Sequence, residues 1–251
     1  MQRLPGQTQR KILVFSGFVI DVCNEWIYIT AGHILRDIRL ATSAGSTFDI
    51  WRLGDQMAGS QFRNSTIPYS FLESDWLVIE NEAIGLDYAA VPIRGLYRKQ
   101  LEAGGVIAIG KDAWSDHVTD YDHWALIGIP AESVNYDGTN VITARIILVP
   151  IASSDEPESA GDKANNQFYA KPVDGSEQYF KDADGLSGGP VFTLKKVGAC
   201  WLYNVMGIQS AWYPSSGKLA ICPFSSFGLE LERIMLGAKT SEQSGPSGGA
   251  A

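Results

Sequence analysis

The sequence predicts an all-β protein, a sandwich or a barrel, with one helix near its C-terminal end. Three observations carry this. Apolar residues make up 45% of the chain and 26 glycines punctuate it, a globular composition rich in turns. Short runs of β-branched and aromatic residues recur between Gly, Asn, Asp, Ser and Pro, the pattern of strands joined by turns. Helical spacing is visible only late, at Phe227, Leu231 and Ile234 of "SSFGLELERIML".

In chain order, "KILVFSGFVIDV" (11–22), "EWIYIT" (25–30), "STFDIWRLG" (46–54), "DWLVIE" (75–80) and "YAAVPI" (88–93) form a first group of strands. The polar, acidic "KDAWSDHVTDYDH" (111–123) interrupts the apolar runs and reads as a linker between two β units. In the second half, "GVIAIG" (105–110), "WALIGIP" (124–130), "VITARIILVPI" (141–151), "PVFTL" (190–194), "CWLYNVMGIQSAW" (200–212) and "KLAICPF" (218–224) likewise read as strands. This division gives units over 1–115 and 116–237. Residues 153–178 are polar and long for a loop, either an overhang on a cleft or a solvated insertion. The late helix is expected to pack on the second strand group. The Gly/Ser-rich residues 238–251 cannot bury a core and read as a disordered tail.

Charge and cysteines exclude several classes. The net charge of −8 argues against the basic stripe that nucleic acid requires. Three cysteines, an odd number without metal spacing, argue against a disulfide framework and for a reducing compartment. No stretch approaches the roughly 18 apolar residues of a membrane span, and the N-terminal residues lack a signal peptide's apolar run. The expected location is cytoplasmic, with neither membrane nor nucleic acid as partner. "DHVTDYDH" (116–123) gathers His and Asp in no named metal-site spacing and reads as a hydrated linker.

One stretch raises the question of chemistry. "DGLSGGPVF" (184–192) is either a glycine-rich turn that happens to hold a serine or a loop presenting Ser187 as a nucleophile. A serine hydroxyl needs an adjacent base, for which imidazole is suited. Of three histidines, His117 and His123 lie in the polar linker, and His33 follows a strand in "TAGHIL" beside small Ala31 and Gly32. His33 is therefore either a base leaning across a cleft or a structural residue at a strand end. Asp87, directly ahead of the apolar run "YAAVPI", is either the carboxylate that orients it or a capping residue.

Together the segments resemble the chymotrypsin-like (trypsin-like) serine peptidases. "TAGHIL" is similar to that family's histidine segment, "LDYAAVPI" to its aspartate segment and "GLSGGP" to its serine segment, in the family's order. "FSGFVID" resembles the "GSGFVI" strand of bacterial members without disulfides, and "MGIQSAW" the strand that pairs with substrate. The resemblance spans residues 11 to 236. It implies two antiparallel six-stranded barrels with a C-terminal helix, His33 and Asp87 on the first and Ser187 on the second. It further implies Ser187 as nucleophile, His33 as base, Asp87 as orienting acid and a backbone oxyanion hole at Gly185 and Ser187. Lys181, Gly207, Gln209 and Ser210 map to substrate contacts. The substrate is a protein or peptide, and no cofactor or metal is required.

The sequence departs from the family at Leu186. Secreted members place there an aspartate that pairs with a newly cut N-terminus, so activity here is expected to need no N-terminal cleavage. Lys181 either favours an acidic side chain before the scissile bond or points to solvent. Besides an active endopeptidase, a catalytically silent peptide-binding module and a latent peptidase awaiting an activating protein partner remain open.

Overall fold

A computed structural model describes residues 1–7, 10–54, 66–117, 121–136, 142–176 and 182–243. The second half closes a six-stranded antiparallel barrel, in the order His123–Gly128, Ile147–Ser154, Phe168–Pro172, Lys218–Pro223, Cys200–Tyr213 and Pro190–Val197. Its strands alternate inward and outward residues, clearest in Ile147, Val149 and Ile151, buried between exposed Leu148 and Pro150. Leu126, Val149, Leu186, Val191, Met206, Leu219 and Ile221 fill the interior. The barrel recruits Phe168–Pro172 from within the stretch expected to be one long polar loop.

The first half is built differently from the expected second barrel. Its core is a four-stranded sheet ordered Phe18–Val22, Glu25–Thr30, Leu86–Pro92, Leu77–Asn81, and the described residues close no barrel around it. The run 46–54 breaks into Thr47–Phe48 and Trp51–Leu53, and the latter pairs only with Ile67–Tyr69, where Pro68 removes a ladder donor. "GVIAIG" contributes one bridge, Ile20 to Ile109, instead of a strand.

Two helices do the covering instead. Gly32–Ser43 buries Ile34, Leu35 and Ile38 against Ala89, Val78 and Trp76, and Gly95–Ala103 buries Leu101 beside Trp26, Val91 and Ile93. The expectation of helical structure only near the C-terminus is thus corrected. The spacing of Ile34, Leu35 and Ile38 carried the signal for the first helix. The second is mostly surface and offered almost none.

The opposite face of the sheet (Phe18, Ile20, Ile27, Ile29, Tyr88) joins Val205, Ile208, Cys222 and Phe224 of the barrel side in one shared core. The helix Ser225–Gln243 seals this seam rather than packing on the second half alone. Phe227 stacks on Tyr88 with ring centroids 4.5 Å apart, Leu231 is buried, and Lys111 bridges Glu232 at 2.7 Å. Its apolar positions are Phe227, Leu231 and Met235, while Ile234 faces out. The helix also runs on through Gly237 to Gln243, into the segment expected to be tail. Residues 244–251 lie outside the described residues.

Trp114, expected in a polar linker, is fully buried in this seam. Its ring lies against Gly228, where an added Cβ would sit 2.8 Å from Cε3. Trp114→Ala is expected to cost about 3–5 kcal/mol of stability, by transfer and cavity effects together. Urea denaturation of the two proteins measures it, and a loss under 1 kcal/mol would contradict the packing described.

Candidate active site

Antiparallel pairing of Thr30 with Ala89 runs the Glu25–Thr30 strand out beside the start of Leu86–Pro92. The chain then crosses Tyr88 at Gly32, the first residue of the helix, where a Cβ would lie 2.9 Å from Tyr88 O, and His33 follows in the first turn. Glycine is required by this close approach. Ala31, the residue ahead of the helix, has no side chain able to cap it. Asp87 does so from the neighbouring strand: its Oδ1 accepts the His33 backbone N–H at 2.7 Å.

The same carboxylate holds the ring. His33 Nδ1 lies 2.7 Å from Asp87 Oδ2, which also accepts the Ser210 hydroxyl at 2.5 Å. Asp87 is buried at 5% exposure, so each of these donors counts. Burial alone would raise its pKa, but the bonds from His33 and Ser210 outweigh burial and lower it. Burial would likewise lower the His33 pKa, and the bond to and charge of Asp87 reverse this to a net rise. With the carboxylate ionised, Nδ1 must be the protonated ring nitrogen, which leaves Nε2 as an acceptor.

Ser210 reaches Asp87 because the strand register shifts between Gln209 and Ala211, turning the intervening side chain toward the other half. Behind it, Gln167 Nε2 donates to Gly85 O at 3.0 Å and approaches Ser210 Oγ at 3.5 Å, and the Cys222 thiol lies 3.3 Å from Gly85 O. Burial and the Asp87 charge push Cys222 up to about 12, so this thiol stays protonated. Sequence reasoning missed Gln167, whose partners are distant in the chain.

The Ser187 loop docks between the halves. Gly188 N donates to Gln209 O and Gln209 N to Gly189 O, both at 2.9 Å, while Ser16 N donates to Ser187 O at 3.1 Å. Gly188 has φ +84°, and a Cβ there would lie 2.1 Å from Thr30 Oγ1 and 2.9 Å from Ala31 N. The residue after Ser187 therefore touches the segment just ahead of His33. Ser187 Oγ makes no hydrogen bond to His33.

Leu186 is fully buried in the barrel interior. Leu186 thus anchors the serine loop by apolar contact. Asp184 O accepts from Ala131 N at 2.7 Å and Leu186 O from Gly189 N at 2.8 Å. In trans peptides this turns the Gly185 and Ser187 N–H groups away from those partners. Neither N–H donates to any acceptor among the described residues.

The remaining expected substrate contacts fare unequally. Gly207 is paired on both sides within the barrel, and a Cβ there would meet Ile221 at 2.4 Å. Gln209 gives both backbone groups to the serine loop, and its side chain is 1% exposed with Oε1 unpartnered. Neither offers its backbone to a peptide. Ser210 serves Asp87, and Lys181 lies outside the described residues. His117 contacts Ser225 Oγ at 3.2 Å and His123 lies against Trp201 at 5.7 Å, so the two linker histidines face different neighbours. The three thiols are free, and no described helix is long and apolar enough to cross a membrane.

No family model matches the chain, and no curated protein matches it. Among solved structures, a chimeric murine norovirus NS6 protease, an inactive mutant, is similar with a TM-score of 0.40 and 12% identity over 84% of this chain and 90% of that one. The NS6 protease from murine norovirus 1 gives 0.38 and 12% over 84% of this chain and 92% of that one.

Proposed function

We propose that the protein is a serine peptidase in which Ser187 attacks the scissile carbonyl and His33 Nε2 takes its proton. Asp87 fixes the tautomer and favours the imidazolium that forms, and His33 then protonates the leaving amine. The observation that carries this reading is the Asp87 carboxylate gripping both the backbone and ring N–H of His33, with the Ser187 loop docked on the residues just ahead. The unpartnered Gly185 and Ser187 N–H groups suit the oxyanion of the tetrahedral intermediate. An extended peptide would run beside Ser210 and Ala211, past the end of the ladder with Pro190–Val197. The buried Leu186 supports a loop ordered without an N-terminal ion pair. No cofactor enters this chemistry.

A second reading is favoured by one observation, the absence of a hydrogen bond between Ser187 and His33. In a latent peptidase that bond would form only when a peptide or partner protein closes the site.

Labelling with a fluorophosphonate probe tests both. The active enzyme incorporates one probe per chain, mapped to Ser187, at a rate that rises with pH as His33 loses its proton. Because Asp87 raises the His33 pKa, the midpoint is expected above the ordinary 6.5. Labelling seen only with added peptide supports latency. A folded protein that never reacts, or reacts elsewhere, overturns the serine mechanism.

A further inference from the structure

Ser16 precedes the first strand of the sheet, is 5% exposed, and has each of its polar groups bonded, its hydroxyl and backbone N–H across the seam. Its hydroxyl donates to Gly185 O at 2.6 Å and accepts from Ile129 N at 2.9 Å. Its backbone N–H donates to Ser187 O at 3.1 Å, and its carbonyl accepts from Thr30 Oγ1 at 2.8 Å. One residue of the first half thus grips the carbonyls on either side of Leu186.

Gly185 is the flexible point of this loop, with φ +84° and no Cβ to oppose rotation of its peptides. The plane before it is pinned by Ala131 N on Asp184 O at 2.7 Å. The plane after it is held at both ends, by the Ser16 hydroxyl on Gly185 O at 2.6 Å and by Leu186 N on Ala183 O at 3.0 Å. Ile129 and Ala131 belong to one short segment, so Ser16 and that segment form a clamp around Gly185. Space around the hydroxyl is closed: a Cβ on Gly128 would lie 2.8 Å from it.

We propose that the Ser16 hydroxyl is a positioning residue. It selects the Gly185–Leu186 peptide orientation that keeps the Gly185 and Ser187 N–H groups directed to a common point. This rests on the peptidase reading for its catalytic consequence, though not for its geometry. With the hydroxyl gone, the Gly185 carbonyl loses its donor and only the Leu186 N–H bond to Ala183 O still holds that peptide. The donors would then be organised only part of the time, which weakens oxyanion stabilisation without altering peptide binding or the His33–Asp87 pair.

The test compares Ser16→Ala and Ser16→Cys with wild type, each normalised to its content of probe-reactive Ser187. Ser16→Ala is expected to lower kcat about 10–100-fold per reactive site with KM and the pH midpoint unchanged, and Ser16→Cys to restore part of the loss. A purely structural role would instead lower the melting temperature and the reactive fraction, leaving turnover per site intact, and that result overturns the proposal. Amide hydrogen exchange gives a readout independent of activity. In Ser16→Ala, exchange at Leu186, whose N–H is bonded to Ala183 O, is expected to quicken at least tenfold while that of Val191 and Leu219 holds. If wild type hydrolyses nothing, the peptidase reading fails and this exchange still decides the role of Ser16: unchanged exchange would refute it.

Discussion

Alanine at Ser187 or at His33 is expected to lower peptide hydrolysis about 10⁶-fold, and alanine at both to lower it no further. In the proposed mechanism the two side chains act in one step, so removing either would abolish the same event. Neither is part of a packed core: Ser187 and His33 are only half-buried, so both variants should fold and melt near the wild type. The residual rate should exceed that in water by roughly 10³–10⁴, because the backbone N–H groups of the loop survive both substitutions. Steady-state kinetics on the two single variants and the double variant measure this. Losses that multiply would mean that the residues act in separate steps and would break the proposed relay.

The second large effect is expected at Asp87. Asp87→Asn keeps the shape but places an amide where two donors converge, the His33 ring and the Ser210 hydroxyl. The amide can accept at only one oxygen, so it favours the ring tautomer with the proton on Nε2, and a protonated Nε2 cannot act as base. A loss of about 10⁴-fold in kcat follows. Any residual activity should titrate at lower pH than in wild type, since the Asp87 bond and charge are what lift the His33 pKa against burial. Asp87→Ala adds a folding defect, because it leaves the His33 backbone N–H, its ring N–H and the Ser210 hydroxyl without their acceptor, at about 3–5 kcal/mol. Thermal melts and pH–rate profiles of the two variants separate these effects. An Asn variant as active as wild type would show that Asp87 is only a helix cap.

Where the sequence was informative, it was so for local reasons. "EWIYIT" is observed as Glu25–Thr30 because its apolar residues face both layers of the protein. The residues around the site were legible because close contacts leave little freedom: Gly32 at the crossing of Tyr88, and Gly188 against Thr30, tolerate no side chain. What escaped was long-range. The helix Gly32–Ser43 shares its first residues with the histidine segment, where His33 read only as a residue at a strand end. Trp114 sits among charged neighbours in sequence, yet its partners Phe18, Phe224 and Phe227 come from both halves. The role of Asp87 as a cap for His33, and the grip of Ser16 on the serine loop, each join segments that no periodicity relates.

Two adjacent residues of a single strand are among the links between the two halves. Asp87 is bonded to Ser210, and Tyr88 donates its hydroxyl to Pro223 O at 2.7 Å. Prying the sheet from the barrel by an ångström or two would therefore sever the acid from its hydroxyl partner while every strand stayed paired. Warming should loosen this joint before it melts either half, so the chain would go silent, and recover on cooling, at temperatures where its circular dichroism has not yet changed.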